Sequence, residues 1–137
     1  MNGYLIDTNV VSELRKGQRS NVGVRKWLTE HADDDLWLSV LVIGELRRGV
    51  SLLRRRDPDS AHHLETWLIA LEASYADRIL PVSLDVARQW STLGIPDPLP
   101  AIDGLLAATA LTHELTLVTR NITDVQRSGV TVIDPFT

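Results

Sequence analysis

Four acidic residues in this chain stand where a carboxylate could do chemistry: Asp7, Glu45, Asp103 and Asp124. Asp7 ends the apolar run Tyr4-Leu5-Ile6, and Asp124 follows Thr116-Leu117-Val118-Thr119 by the short loop Arg120-Asn121-Ile122-Thr123. Glu45 comes early in a helical pattern, and Asp103 falls in the first turn or so of a strongly apolar one from about Ala101 to His113. Singly, each has an ordinary structural use. Asp7 and Asp124 can cap helix N-termini, and Asp103 can complement a helix dipole. Glu45 can pair with Arg48 or Arg47. It borders the apolar stripe begun by Val42, where an unpaired carboxylate costs free energy.

Together they suggest more. Carboxylates gathered at one place repel and raise each other's pKa, and no histidine or lysine here is an evident partner for all four. A divalent cation resolves that conflict. Mg2+ prefers carboxylates and retained waters and commonly works on phosphates, and Mn2+ suits the same oxygen ligands. Two such ions roughly 4 Å apart can activate a water and stabilise the leaving oxygen of a phosphodiester. The formal net charge of −4 gives no broad basic face for nucleic acid, so bound cations would also supply the missing positive charge. Arg47 and Arg48 are the nearest phosphate candidates, whereas Arg54-Arg55-Arg56 reads as a solvated loop. His62 and His63 are helix neighbours and do not converge on one ligand. His31 and His113 read as helix-end residues. No P-loop, dinucleotide fingerprint or nucleophile elbow occurs.

The elements that must position these acids follow from the apolar pattern. Strands are expected at 4–6, 36–38, 79–82, 116–119 and 130–133. The third belongs at a sheet edge, because Pro81 cannot donate to a central ladder. Between them come helices capped by Asp7 or Thr8, by Ser20 or Asn21, by Ser39 and by Ser83. A further helix carries Leu64, Trp67, Leu68 and Leu71 at core-facing spacing. Segment 54–59 reads as a loop, and Trp27, Trp67 and Trp90 as packing residues. Alternating strands and helices predict an α/β fold, a single-domain three-layer sandwich over residues 1–137 with a mainly parallel sheet flanked by helices. Ligands of such sheets bind outside the carboxyl ends of the strands, near a switch in strand order. The composition is that of a globular domain, 44% hydrophobic and 23% charged. The absence of cysteine excludes disulfides and thiolate metal sites. With no signal peptide and no apolar run long enough to span a bilayer, a cytoplasmic protein without membrane association is expected.

At these residues the chain resembles the PIN-domain toxins, most closely the VapC and FitB group of toxin–antitoxin systems. The likeness rests on Leu5-Ile6-Asp7-Thr8-Asn9, on Gly44-Glu45-Leu46-Arg47-Arg48-Gly49, on Asp103-Gly104-Leu105-Leu106-Ala107-Ala108-Thr109-Ala110 and on Thr119-Arg120-Asn121-Ile122-Thr123-Asp124. It runs from about Tyr4 to Phe136, with one departure at Val125, where the family often has an aromatic residue. The resemblance implies a metal-dependent endoribonuclease with Asp7, Glu45, Asp103 and Asp124 around the metal, supported by hydrogen bonds from Thr8 and Asn121. It also implies a homodimer, an RNA substrate, and inhibition by a small antitoxin that binds operator DNA. Two other readings of the acids stand beside it. One is a magnesium-dependent aspartyl-phosphate phosphatase, whose nucleophilic aspartate also follows the first strand but which usually wants a second acid where this chain has Asn9. The other is a catalytically silent binding module.

Overall fold

The structure is a computed structural model and describes residues 3–137. Its strands are β1 (Tyr4–Ile6), β2 (Leu36–Ser39), β3 (Ile79–Leu80), β4 (Thr116–Val118) and β5 (Val132–Ile133). All pair in parallel, in the order β3-β2-β1-β4-β5. The chain therefore winds outward from β1 to one edge, crosses over, and winds out to the other edge. The switch in order lies between β1 and β4, where Tyr4 pairs with Thr116 and Ile6 with Val118.

Seven α-helices among the described residues flank the sheet: α1 (Thr8–Leu14), α2 (Val22–Thr29), α3 (Val40–Arg54), α4 (Pro58–Ser74), α5 (Leu84–Trp90), α6 (Ala101–Thr112) and α7 (Ile122–Val125). Their starts follow side-chain caps. Asp7, Asn21, Ser39, Asp57 and Ser83 each accept a backbone N–H of the helix they open, satisfying donors that a helix start leaves without partners. The core lies between sheet and helices and includes Leu5, Leu38, Val42, Leu68, Leu106 and Leu117, all nearly inaccessible. β3 is an edge strand, as Pro81 requires. Among the described residues no helix is long and apolar enough to cross a membrane.

Several boundaries and roles differ from expectation. Helical structure takes both ends of segment 54–59, since Arg54 belongs to α3 and Pro58 and Asp59 to α4, and leaves 55–57 as the turn between them. The strands at 79–82, 116–119 and 130–133 are shorter than their apolar runs, because only Ile79–Leu80, Thr116–Val118 and Val132–Ile133 find a partner in register. Trp90 does not pack away and is 44% exposed. The helical period sets which face it occupies, but the other elements leave part of that face uncovered.

The C-terminal tail docks on the start of α2. Thr137 N–H donates to Asn21 Oδ1 (3.2 Å), and Gly23 N–H donates to Thr137 Oγ1 (3.3 Å). A Cβ at Gly23 would lie 2.3 Å from the Pro135 carbonyl oxygen. Gly23→Ala should therefore destabilise the fold by about 1–3 kcal/mol through overpacking, read as a lower urea midpoint at unchanged slope.

Candidate active site at the carboxyl edge of the sheet

The carboxyl ends of β1 and β4 are adjacent, and Asp7 N–H donates to the Val118 carbonyl at 2.9 Å. Asp7 therefore leaves the central strand at the switch in strand order, where the ends of diverging connections open a crevice. It is 5% exposed, and its carboxylate is held on two sides. Oδ1 accepts the Thr8 N–H (2.7 Å), and Oδ2 accepts the Thr119 hydroxyl (2.7 Å). Capping is thus one of its uses, and the buried hydroxyl from beyond β4 is another.

The loop after β4 is built around that hydroxyl. Asn121 N–H donates to Thr119 Oγ1 at 3.0 Å. Asn9 Nδ2 reaches both Asp7 Oδ2 and Thr119 Oγ1 at 3.4 Å, and Asn9 Oδ1 accepts the Arg120 N–H at 3.2 Å. Asn121 stands at the N-terminal cap position of α7 without a side-chain cap bond, so its recorded contact with the site runs through its backbone. Asp124 lies in the first turn of α7 and is not its cap. Two residues after Asp7, then, stands a neutral amide that staples two loops and provides no second acid.

Glu45 is exposed rather than set against the core. Its Oε1 accepts the Thr8 hydroxyl at 2.6 Å, which ties α3 to the start of α1. The arginines expected beside it do not pair with it. Arg47 makes a two-pronged contact with Glu72 on α4, at 3.1 and 3.0 Å, and Arg54 pairs with Glu65 at 3.2 Å. These contacts bridge the α3–α4 hairpin, and Arg47 is therefore engaged elsewhere instead of being free for phosphate. An i, i+3 rule within one helix does not foresee partners on the next.

Asp103 enters from the first turn of α6 and is half-buried. Burial first, then the charges of Asp7, Asp124 and Glu45, push its carboxyl up to about 6. Asp7, Asp124 and Glu45 therefore all act electrostatically on Asp103, although the four come from four separate elements. Thr8 also lies in the site, through Glu45, and Asn121 through Thr119. Thr119 and Asn9 were not foreseen as site residues. The available signal was a hydroxyl at the end of the second central strand and an amide two residues after Asp7. Among the described residues, no three acidic or histidine side chains stand close enough to form a ready metal cage. The donor chemistry nonetheless suits a hard divalent cation, being all oxygen and all negative.

The raised Asp103 carboxyl has a consequence for stability. Between its ordinary value near 4 and about 6 the native state binds a proton that the unfolded chain does not. Its contribution is fully present below about pH 4 and is lost as pH rises through about 6. In chelator, Asp103→Asn should remove this dependence. The urea midpoint of the mutant relative to wild type should rise across that window, and a constant difference would contradict the clustering.

Comparison with known proteins agrees with this arrangement. The PIN domain family model matches residues 4–123. Toxin FitB of Neisseria gonorrhoeae is 34% identical, over 96% of this chain and 97% of its own. The VapC ribonuclease Y4jK of Sinorhizobium fredii is 29% identical, over 96% of each chain. Among solved structures, FitAcB from Neisseria gonorrhoeae superposes with a TM-score of 0.87 at 33% identity, covering 96% of this chain and 97% of that one. FitAB bound to the IR36 DNA fragment gives 0.82 at 30%, covering 98% and 96%. A parallel sheet in the order β3-β2-β1-β4-β5, Asp7 at its switch point with its charge acting on Asp103, and these relatives across nearly the whole length lead to one assignment: the chain belongs to the PIN-domain family, on its VapC and FitB branch.

Proposed function

We propose that this protein is the toxin of a toxin–antitoxin pair and a magnesium-dependent endoribonuclease, with Asp7, Glu45, Asp103 and Asp124 as the metal-binding and catalytic residues. The observation that supports the reading is Asp7, fixed at the switch in strand order by Thr8 and Thr119, together with Asp103, whose carboxyl is raised by burial and by the charges of Asp7, Asp124 and Glu45. Mg2+, or Mn2+ in its place, would supply a polarised phosphate oxygen and an activated water when bound. The chain's own part is to hold the donors. Thr8 N–H and the Thr119 hydroxyl fix Asp7 by donating to its two carboxylate oxygens. The Thr8 hydroxyl donates to Glu45 Oε1 and so ties Glu45 to the residue that follows Asp7. Asp103 must release its proton before it can bind metal, so metal affinity should weaken below about pH 6.

The reading of RNA as substrate is supported by relatives called ribonucleases. The reading of an antitoxin partner and operator DNA is supported by the relative named toxin FitB and by the solved FitAB bound to the IR36 DNA fragment. A homodimer is proposed with them. The test is incubation of purified protein with RNA in chelator and in excess magnesium, with a phosphate monoester as control substrate. Internal cleavage of RNA only with metal, and an untouched monoester, is the expected outcome. Hydrolysis of the monoester alone would establish a phosphatase, and silence on both substrates a binding module.

A further inference from the structure

Beside the acidic crevice lies a cavity of about 270 Å³. It shares Thr8 and Glu45 with the crevice and continues between α1, α3 and α4 to Arg15, Gly49 and Trp67. Its volume falls just below the roughly 300–1,000 Å³ that takes a drug-sized ligand, which suits a single heterocycle. Leu46, Leu64 and the half-buried Trp67 give it an apolar wall with one aromatic ring. Arg15 is exposed at its rim, and among the described residues it has no carboxylate partner. Several other arginines of this acidic chain are engaged: Arg47 and Arg54 by acids on α4, and Arg78 by Asp33.

Gly49 supplies a second, independent observation. A glycine inside a helix costs stability relative to alanine, and packing gives no reason for one here, since a Cβ at Gly49 would meet nothing within 4 Å. Any larger side chain would project into the cavity that Gly49 lines. α3 carries two glycines at which a Cβ would meet nothing within 4 Å, Gly44 and Gly49, and of these Gly49 lines the cavity.

We propose that this cavity is a nucleotide subsite, which takes the base of the nucleotide adjacent to the cleaved phosphate while Arg15 contacts that nucleotide's outer phosphate. The inference deepens the nuclease reading and rests on it. Stacking on an aromatic ring accepts any base, and a guanidinium fork matches phosphate oxygens. Because the pocket opens directly onto Glu45 and Thr8, a base seated there places its own backbone at the acidic crevice.

Mononucleotides carry no phosphodiester to cut, so they report the subsite alone. The four ribonucleoside 5′-monophosphates and ribose 5-phosphate are titrated into the intact protein in magnesium buffer by calorimetry, with wild type, Gly49→Leu, Trp67→Leu and Arg15→Gln. At least one mononucleotide should bind about tenfold or more tighter than ribose 5-phosphate. Gly49→Leu should abolish that advantage while melting at or above wild type, which guards against misfolding as the cause. Trp67→Leu should reduce the advantage, and Arg15→Gln should weaken all phosphate-bearing ligands. Equal binding of ribose 5-phosphate and every mononucleotide, or unchanged binding in Gly49→Leu, overturns the subsite. RNA cleavage in the same preparations separates the two readings. Base-selective binding without cleavage leaves the subsite standing and removes the nuclease, whereas cleavage without base selectivity does the reverse.

Discussion

Asp7→Asn should lower RNA cleavage by at least about 10³-fold while the protein stays folded. A metal ion acting on a phosphoryl oxygen contributes several kcal/mol to the transition state, and about 1.4 kcal/mol corresponds to each factor of ten. Asp7 is the member of the cluster least able to be replaced, since it is buried at the switch point and fixed by Thr8 and Thr119. The fold should tolerate the change. Asparagine is as good a helix cap as aspartate. Its carbonyl can keep the Thr8 N–H, and the Thr119 hydroxyl can rotate to meet an amide. The structural cost should stay near or below about 1 kcal/mol, the usual worth of one hydrogen bond. Cleavage at the wild-type rate by purified, folded Asp7→Asn would mean that this carboxylate plays no part in the chemistry.

Asp103→Asn should separate site from scaffold by stability. If Asp103 only complements the dipole of α6, the substitution loses about 0.3–1 kcal/mol with or without metal. In a cluster, the sign reverses in chelator, because removing one charge relieves repulsion with Asp7, Asp124 and Glu45. The mutant should then melt at or above wild type. Magnesium at a hundredfold excess over Kd should stabilise wild type by about 2.7 kcal/mol. For a chain of 137 residues that corresponds to roughly 9 °C in Tm. The mutant should gain much less. A mutant that melts lower in chelator, yet gains as much from magnesium, would return Asp103 to a purely structural role.

Those substitutions concern residues visible in the sequence, and the reason is local. Asp7 directly ends a three-residue apolar strand, and Ser39, Asn21 and Ser83 sit immediately before helical patterns. Cap and strand-end chemistry involves neighbours in the chain, so one sequence suffices to read it. Pro81 likewise announced an edge strand by lacking a donor. The misses share the opposite property. Thr119 matters because its hydroxyl meets a carboxylate 112 residues away. Arg47 is taken up by Glu72 across a hairpin. Glu45 lies outside the core because Thr8, on another helix, gives it a partner at the surface. The cavity beside it exists only once α1, α3 and α4 are placed together. In each case the deciding contact is long-range and depends on how elements pack, which periodicity along one element does not encode.

That four dispersed acids work as one site is most directly tested by the RNA cleavage rate of the Asp7→Asn/Asp103→Asn double mutant at saturating magnesium, set against both single mutants. Residues that serve one metal centre fail together, and their effects do not multiply. Each single mutant should lose most of the activity, and the double should fall little below the worse of the two. Losses that multiply, or a single mutant that keeps the wild-type rate, would contradict a shared metal centre.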